Sequence, residues 1–328
     1  MTAIRVAING FDRLGRSVCK IAHDRNDVDI VAIRDTRDAE TCAYLLKHDS
    51  IYGGYTRAVA AGENKITIGD DSVDILEESS PLKDVWGERK IDVVIDTTGA
   101  DSATLRKHIS AGARQVVALS ASSEIETIIM GVNDDALEKI PAILGAADGV
   151  MNGVTPVLTV LDQAFSVQKA AVTVVDGGSP IDCSLRTTRT QEQALIPSPL
   201  LGLSSTDILP RNTAIGLSIH APVASVGLAV ITAVVGGSVT DSAVNQAFAH
   251  AAKEPFYQGI ITTTNKQLVS ADVRGTSYSA TIDTSLTSVA GGDFVQIAAW
   301  FDAEWGFANR LVELSVDAGR IARSRLAK

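Results

Sequence analysis

The first half of the chain alternates between short apolar runs, which are typical of buried strands, and apolar residues at helical spacing. The run 4–8 ends at a turn formed by Asn9 and Gly10, and a helical pattern begins at Arg13. Further strand-like runs lie at 29–34, 65–68, 73–76, 91–96 and 115–119, and helical spacing recurs at 39–48 and 102–111. This alternation predicts a Rossmann-like, doubly wound α/β domain.

The second half has a different pattern, dominated by alternating, β-branched runs. We expect strands at 170–175, 214–219, 226–235, 269–273, 277–284 and 294–301, and helices at 152–165, at 242–253 and at the C-terminus. These runs predict a mostly antiparallel sheet, and therefore an α+β domain. The stretch 177–205 is rich in Ser, Thr, Pro and Gly and predicts a long loop of the kind that is usually functional or interfacial.

The two patterns meet in the stretch 142–156. Residues 142–144 continue a buried strand, Asp148 and Gly149 signal a turn, and Asn152 is a suitable cap for the helix that follows. A strand-to-helix turn between two domains is where an enzyme would display a nucleophile. This turn offers neither a thiol nor a hydroxyl.

Composition narrows the classes of function. A formal net charge of −10 argues against a large nucleic-acid interface, which needs a concentrated basic face. The apolar runs are short and broken by glycine, so no membrane span is expected. Three scattered cysteines predict neither a disulfide framework nor a metal site, and no secretion signal is evident, so we expect a cytoplasmic protein.

The first turn carries an incomplete dinucleotide-binding signature. Gly10 and Gly15 are present, and Asp35 follows Gly15 at the spacing of a ribose-binding acid, about twenty residues. Asp12, however, stands where a glycine would let the backbone approach the pyrophosphate. At a dielectric of about 20 and about 5 Å, each like-charge pair costs on the order of 3 kcal/mol, or roughly a hundredfold in affinity. Alternatively, Asp12 simply caps the helix.

Several segments, in the same order from one terminus to the other, resemble the phosphorylating glyceraldehyde-3-phosphate dehydrogenases. They are residues 8–16 (Ile-Asn-Gly-Phe-Asp-Arg-Leu-Gly-Arg), 44–50 (Tyr-Leu-Leu-Lys-His-Asp-Ser), 96–99 (Asp-Thr-Thr-Gly), 107–113 (Lys-His-Ile-Ser-Ala-Gly-Ala) and 300–310 (Trp-Phe-Asp-Ala-Glu-Trp-Gly-Phe-Ala-Asn-Arg). The resemblance implies a Rossmann domain at 1–147, completed by a C-terminal helix at about 304–328. It also implies a catalytic and oligomerisation domain at 148–303, and a homo-oligomer, either a tetramer or a dimer.

The resemblance also implies which residues should carry the chemistry, and this chain departs from it. Gly149 stands in place of the family's nucleophilic cysteine, and Asp176 in place of the histidine that activates it. Without a thiolate there is no thiohemiacetal to oxidise. Loss of a general base alone removes about 10²–10⁴ in rate.

The binding positions implied by the resemblance are similarly altered. Ile181, Leu200 and Leu201 replace phosphate-site residues, and His220 replaces a substrate-binding arginine. Ala303 and Ser79 replace residues near the nicotinamide and the adenine, and Arg34 beside Asp35 is another departure. The positions that still fit the cofactor are Asn9, Gly10, Arg13, Leu14, Asp35, Thr98, Gly99 and Ser120. Their alternative role is scaffold, because glycines set turns and polar residues cap them.

Three hypotheses follow from these replacements. The first is a pseudoenzyme that binds a protein partner as a scaffold or regulator, with NAD absent or weakly bound. The second is a repurposed enzyme in which Asp148, Asp176 and His220 converge for acid–base or metal-assisted chemistry. The third is an NAD-dependent aldehyde oxidoreductase with an atypical site, for which Cys183 is the only nearby thiol.

Overall fold

A computed structural model of the chain describes residues 2–79, 82–119, 124–139, 141–177, 193–200, 202–203 and 213–326. The chain divides into two compact units. The first comprises Met1–Ile128, Asn133–Ala147 and Ala308–Lys328, and the second comprises Ile129–Val132 and Asp148–Phe307. In the part of the chain that the structure describes, every helix is too short or too polar to cross a membrane.

The first unit is built on one large sheet. Its strands are β1 (Ile4–Asn9), β2 (Val28–Asp35), β3 (Val59–Ala61), β4 (Lys65–Ile68), β5 (Asp71–Glu77), β6 (Val93–Asp96), β7 (Gln115–Leu119), β8 (Thr127–Ile128) and β9 (Ile143–Ala146). Its helices are α1 (Arg13–His23), α2 (Ala39–Lys47), α3 (Val85–Glu88) and α4 (Ser102–Ser110), with a 3₁₀ turn at Asp134–Lys139. The strands lie in the order β3-β4-β5-β2-β1-β6-β7-β9-β8.

The direction in which successive strands are added to this sheet reverses at β1. From β1 the chain builds outward to β2 and β5 on one side and to β6, β7 and β9 on the other, with all of these pairs parallel. Among the described strands of this unit, only the outer pairs β3–β4 and β4–β5 are antiparallel. The unit is therefore a Rossmann-like, doubly wound domain, as the sequence predicts. Ligands of such folds bind beyond the carboxyl ends of the strands at the reversal, which here lies between β1 and β6.

The core of this unit follows from the sequence pattern. Central strands covered on both faces read as continuous apolar runs, and β6 is buried at every position. Trp86 fills the space beside the sheet and is 0% exposed. Its indole Nε1 donates to Nδ1 of buried His108 at 3.0 Å, which satisfies the one polar atom of its ring.

The second unit is built around a mixed sheet. Its elements are α5 (Gly149–Phe165), β10 (Val167–Asp176), β11 (Ile196–Pro199), β12 (Ala214–His220), β13 (Val226–Val235), α6 (Asp241–Ala251), β14 (Ile261–Thr264), α7 (Ser270–Val273), β15 (Ala280–Asp283), β16 (Ser288–Ala290) and β17 (Phe294–Asp302). The next helix, α8 (Trp305–Leu326), belongs to the first unit from Ala308 onward. The strand order is β11-β12-β10-β13-β17-β15-β14, with β16 beside β17. Pairs β10–β12 and β14–β15 are parallel and the other described pairs antiparallel, so the sheet is mostly antiparallel, as predicted.

The two faces of this sheet differ in exposure. Val172 and Val174 on β10 are at most 1% exposed, whereas Ala171, Thr173 and Val175, which alternate with them, are exposed or half-buried. The opposite face presents Ile215 and Leu217 of β12, with 73% and 42% exposure, and Phe294 of β17, with 49%. The residues of a strand alternate between faces, and the pairing of β12, β10, β13 and β17 places these exposed side chains on one face.

Three of the predicted elements are wrong in type or position. The expected strand at 269–273 is the helical turn α7, whose start is fixed by Asp272 Oδ2 accepting from the backbone N–H of Val269 at 2.9 Å. Within the expected loop 177–205, residues Ile196–Pro199 form the strand β11, and most of the other positions lie outside the described residues. Strands β3, β8, β14 and β16 and helix α3 were not predicted. Helix α5 begins at Gly149, because Asp148 is its N-cap, and Asn152 lies inside the first turn.

Candidate functional site

The turn between β1 and α1 keeps the backbone of a dinucleotide-binding turn. Gly10 has φ +93°, and a Cβ there would lie 2.8 Å from both Thr97 Oγ1 and Thr98 Cγ2, so glycine is required on both counts. Asp12 is the N-cap of α1, and its carboxylate accepts from the backbone N–H of Gly15 at 3.0 Å. The interpretation of Asp12 as a cap is thus confirmed. The same geometry holds a negative charge at the N-terminus of the helix.

The carboxyl ends of β1 and β6 are joined by side chains. Asn9 Nδ2 donates to Asp96 Oδ2 at 2.6 Å, and Asn9 Oδ1 accepts from Arg34 at 3.0 Å. Thr98 donates to Asp96 Oδ1 through its backbone N–H at 2.9 Å and its hydroxyl at 2.7 Å. Burial raises the pKa of Asp96, but hydrogen bonds from His108, Thr98 and Asn9 outweigh it and hold the pKa below its ordinary value. Asn9 and Thr98 are therefore engaged in holding the scaffold.

The carboxylate at the ribose position is occupied by a neighbouring side chain. Asp35 is 5% exposed, and its Oδ2 accepts from the backbone N–H of Phe11 at 2.6 Å. Arg37 binds both carboxylate oxygens, with Nε at 2.6 Å and an Nη at 2.9 Å, and its backbone N–H adds a further bond at 3.0 Å. Burial raises the pKa of Asp35, and these bonds lower it further than burial raises it. A carboxylate offers about four acceptor positions, and these contacts use them.

The remaining cofactor candidates contribute little specific chemistry. Arg13 is exposed and Leu14 half-buried at the start of α1, and Gly99 has φ +72° with open space around it. Ser79 donates to Glu77 at 3.3 Å, and Ser120 lies outside the described residues. The backbone of this turn fits an NAD pyrophosphate, while Asp12 places a negative charge at the start of α1 and Arg37 occupies the carboxylate of Asp35.

In the second unit, the start of α5 leaves no room for a nucleophilic side chain. Gly149 is the first residue of the helix and is buried. A Cβ on Gly149 would overlap the carbonyl oxygen of Ala303 and would lie 2.6 Å from its carbonyl carbon and 2.7 Å from its Cα. The backbone at Ala303 thus fills the space where the resemblance places the cysteine side chain.

Asp176 and His220, two of the three predicted candidates, are in direct contact. They end the neighbouring parallel strands β10 and β12 and are paired in register. His220 Nδ1 and Asp176 Oδ1 are 3.0 Å apart. Ser218 Oγ donates to the other carboxylate oxygen of Asp176 at 3.2 Å.

A serine extends this pair and was not predicted. Ser198 Oγ lies 3.0 Å from Nε2 of His220, so that serine, imidazole and carboxylate form one hydrogen-bonded row. Asp176 and His220 are 1% and 8% exposed, whereas Ser198 is half-buried. Ser198 lies on the edge strand β11, which pairs with β12. The available signal for a strand was that Ile196, Ser198 and Leu200 occupy alternate positions. The residues between them are Pro197 and Pro199, so the stretch reads as a loop.

Asp148, the third candidate, has a structural task. Its carboxylate accepts from the backbone N–H of Met151 at 2.8 Å, which caps α5. Burial raises the pKa of this carboxyl; the N–H groups of Met151 and Val150 lower it, and the nearby charge of Asp176 raises it. In sum the pKa lies above its ordinary value of 3.8. Asp148 is therefore close enough to Asp176 for their charges to interact.

Apolar side chains pack on glycines in this unit, and one of them, Leu200, stands at a position where the resemblance implies a phosphate ligand. Leu200 packs on Gly216, where a Cβ would lie 2.7 Å from Leu200 Cβ. Buried Met151 lies against Gly202, where a Cβ would be 3.1 Å from Met151 Cγ. Ile181, Cys183 and Leu201 lie outside the described residues. Among the described side chains, no three His, Cys, Asp or Glu residues are grouped so as to hold a metal ion.

The doubly wound sheet with its glycine turn, followed by a separate α+β unit, defines the fold class of the two-domain, dinucleotide-binding dehydrogenases. Comparison with protein families agrees with this class. The family model described as "Glyceraldehyde 3-phosphate dehydrogenase, NAD binding domain" matches residues 4–104, and that described as "Glyceraldehyde 3-phosphate dehydrogenase, C-terminal domain" matches residues 150–303. The chain belongs to the glyceraldehyde-3-phosphate dehydrogenase family.

Similar proteins cover nearly the whole chain. Glyceraldehyde-3-phosphate dehydrogenase of Streptomyces coelicolor is 35% identical over 333 residues, which cover 96% of this chain and 98% of that protein. Glyceraldehyde-3-phosphate dehydrogenase 2 of Bacillus subtilis is 34% identical over 325 residues, 95% of each chain. The resemblance seen in the motifs is therefore confirmed at the level of the family.

Proposed function

We propose that this chain is a pseudoenzyme of its family, which does not carry out the thiol-dependent phosphorylating oxidation of an aldehyde. Its role in this proposal is to bind a protein partner, as a scaffold or as a regulatory subunit. The observation that carries the proposal is the overlap between a Cβ on Gly149 and the backbone of Ala303. A covalent route through this position needs a sulfur nucleophile, and neither the residue nor the space for one is present.

Two further replacements support the proposal at independent steps. At the position of the activating histidine, the Asp176 carboxylate is bound to His220 and Ser218. Leu200 is apolar at a position where the resemblance implies a phosphate ligand, and an apolar group gives a dianion no hydrogen bond to replace the water it must lose. Each loss by itself would weaken catalysis, and together they affect the nucleophile, the base and substrate binding.

The direct test is a turnover assay of purified protein with glyceraldehyde 3-phosphate, inorganic phosphate and NAD, followed as NADH absorbance. We expect no turnover above a preparation from the same host that lacks the gene. The matching positive control is a relative purified in the same way. Turnover that co-purifies with this chain through two different columns would refute the proposal.

A second candidate function is a repurposed enzyme in the same unit. The specific observation in its favour is the 3.0 Å contact between Asp176 and His220, which holds an imidazole in one orientation beside a carboxylate. The carboxylate of Asp148 is engaged in capping α5, so it interacts electrostatically with Asp176 but is not free to act as an acid or a base. The candidate therefore rests on Asp176 and His220. The third hypothesis, with Cys183 as a nucleophile, has no observation in its favour among the described residues.

We also propose that NAD binds weakly or not at all. The charge of Asp12 at the start of α1 opposes a pyrophosphate, and Arg37 occupies the carboxylate that would accept ribose hydroxyls. A thermal-shift titration measures this, because a ligand that binds the native state raises the melting temperature with concentration. A midpoint for NAD in the micromolar range would contradict this part of the proposal.

The proposed assembly is a homo-oligomer, either a dimer or a tetramer, formed through the exposed face of the second unit's sheet. Ile215, Leu217 and Phe294 are the exposed apolar side chains that support it, because apolar patches on a sheet face favour association. Light scattering coupled to size exclusion would give the mass directly. A monomer at all concentrations tested would contradict the proposal.

The proposed location is the cytoplasm. Cys19 and Cys42 are buried, free thiols, and burial raises the pKa of Cys42 to about 11, so both are inert and compatible with a reducing compartment. Fractionation of the source cells, with detection of the native protein, would test this location.

A further inference from the structure

Ser198, His220 and Asp176 have the geometry of a nucleophile, a general base and an orienting carboxylate. The oxygen of Ser198 is 3.0 Å from His220 Nε2, and His220 Nδ1 is 3.0 Å from Asp176 Oδ1. Both distances lie within the hydrogen-bond reach that activation of a serine requires, about 2.6–3.2 Å. Since such triads occur on unrelated folds, geometry and roles identify them rather than sequence order.

The hydrogen bonds also fix the tautomer of His220. A carboxylate only accepts, so the atom of His220 that faces Asp176, Nδ1, carries the proton. Nε2 is then the acceptor for the hydroxyl proton of Ser198. Ser218 donates to the second oxygen of Asp176 at 3.2 Å and holds the carboxylate in place. Each member of the row is therefore oriented for removal of a proton from Ser198.

The strands explain why these side chains meet. Asp176 and His220 are register partners at the ends of β10 and β12, so their side chains lie on the same face of the sheet. On β11, Ile196 is paired with His220, and Ser198 with Ser218. The placement thus depends on rigid sheet positions and not on a loop, which is the more precise way to hold reacting groups.

The neighbours of Ser198 define the substrate class. Ile196 precedes it on the same face and is 3% exposed, and Leu200 follows it and packs on Gly216. The Asp176 carboxylate, which is joined to Ser198 through His220, disfavours an anion close to the serine. The apolar side chains of Ile196 and Leu200 and the charge of Asp176 therefore favour a small, uncharged acyl group over a phosphorylated substrate.

We propose that Ser198 is an acyl-accepting nucleophile and that this site hydrolyses small, uncharged carboxylic esters. Ser198 Oγ forms a bond to the carbonyl carbon as its proton moves to His220 Nε2. The bond to the leaving alkoxide breaks, and that oxygen takes the proton from His220. Water then attacks the acyl carbon, gives its proton to His220, and the Ser198 Oγ–carbon bond breaks as Ser198 regains a proton. Water is the only co-reactant.

This inference deepens the second candidate function, the repurposed site, and rests on it. It is independent of the assay for dehydrogenase turnover. NADH formation from the wild-type chain would refute the pseudoenzyme proposal and leave the serine proposal standing, whereas absence of serine reactivity would refute only the latter.

The test uses the full-length wild-type protein and a fluorophosphonate probe, with p-nitrophenyl acetate as the ester. We expect one covalent adduct, located by peptide mapping at Ser198, and ester hydrolysis that the probe abolishes. Because mapping is done on the wild-type chain, this result does not depend on whether any variant folds. An adduct only at another residue, or no adduct, would overturn the proposal.

Variants then separate a catalytic role from a structural one. Ser198→Ala should lose the adduct and ester hydrolysis, and His220→Gln should slow labelling by about 10²–10⁴-fold, the usual contribution of a general base. Asp176→Asn should lower the rate and change its pH profile while leaving the circular dichroism spectrum intact. Exposed Ser242 on α6 is the matched control, and Ser242→Ala should behave as wild type. Hydrolysis unchanged in Ser198→Ala would refute the assignment.

Discussion

The carbonyl group of Ala303 occupies the space into which a side chain on Gly149 would project. The carbon of that carbonyl would lie 2.6 Å from a Cβ at position 149, closer than non-bonded atoms approach. Both residues belong to the second unit. The backbone at Ala303 therefore leaves no room for a side chain at position 149, whatever the chemistry of that side chain.

The first prediction concerns restoring the thiol. We expect Gly149→Cys to show no dehydrogenase turnover. It should also lower the free energy of unfolding by about 1–3 kcal/mol or more, the usual cost of forcing atoms into a filled space. Gly87→Ala on α3 is the matched control, since its nearest new contact would be an ordinary 3.7 Å. Urea denaturation of the two variants beside the wild type measures the difference. Equal stability of Gly149→Cys and wild type would contradict the packing argument.

The second prediction concerns the charge at the start of α1. Asp12→Asn keeps a side-chain oxygen for the N–H of Gly15 but removes the negative charge, so NAD affinity should rise about 10- to 100-fold. Asp24→Asn, at the other end of the same helix, removes an equal charge away from the turn and should leave NAD affinity unchanged. Isothermal titration of both variants with NAD is the measurement. A similar rise for both would mean that only net charge matters.

The third prediction concerns pH. The pKa of Asp148 is raised in the folded state, mainly by burial. The stability associated with its protonated form is complete below 3.8, its ordinary pKa, and is lost as pH rises through the folded-state pKa. Asp148→Asn, which stays neutral, should therefore gain stability relative to wild type as pH rises from acid toward neutral. Urea denaturation across this pH range measures the trend.

Asp38, the N-cap of α2, supplies a control of opposite sign. Its carboxylate accepts from Thr41, which lowers its pKa below 3.8. The stability it contributes is present above 3.8 and is lost as pH falls through the lower folded-state pKa. Asp38→Asn should therefore lose stability relative to wild type as pH rises. Parallel trends for Asp148→Asn and Asp38→Asn would contradict the assigned pKa directions.

The parts of the fold that local sequence determines were predictable. The turn after β1 was read from Asn9 and Gly10, and the cap of α1 from Asp12, because a turn and an N-cap depend on residues a few positions apart. The predicted start of α5 was wrong by one turn. Both Asp148 and Asn152 are suitable caps, and the choice depends on which side chain reaches the free N–H groups.

The site itself could be predicted only in part. Asp176 and His220 were named from the resemblance, but their contact follows from the parallel register of β10 and β12, which no local pattern encodes. Ser198 was missed because Pro197 and Pro199 read as a loop, whereas prolines are accepted in an edge strand, where one side needs no ladder partner. The backbone of Ala303 fills the space beside Gly149, and these two residues are far apart in sequence. This contact could therefore be found only from the structure.

The last prediction concerns assembly. Leu217 is 42% exposed on the open face of the second unit's sheet, where it lies between Ile215 and Ile219 on strand β12. Placing a charge there would require burying it in an apolar contact, which is costly without a partner. Leu217→Arg should therefore reduce the mass measured by light scattering to that of a smaller assembly. Leu286→Arg is the control, since Leu286 is 47% exposed in a turn after β15 and should leave the mass unchanged. If Leu217→Arg keeps the wild-type mass, the copies associate through another surface.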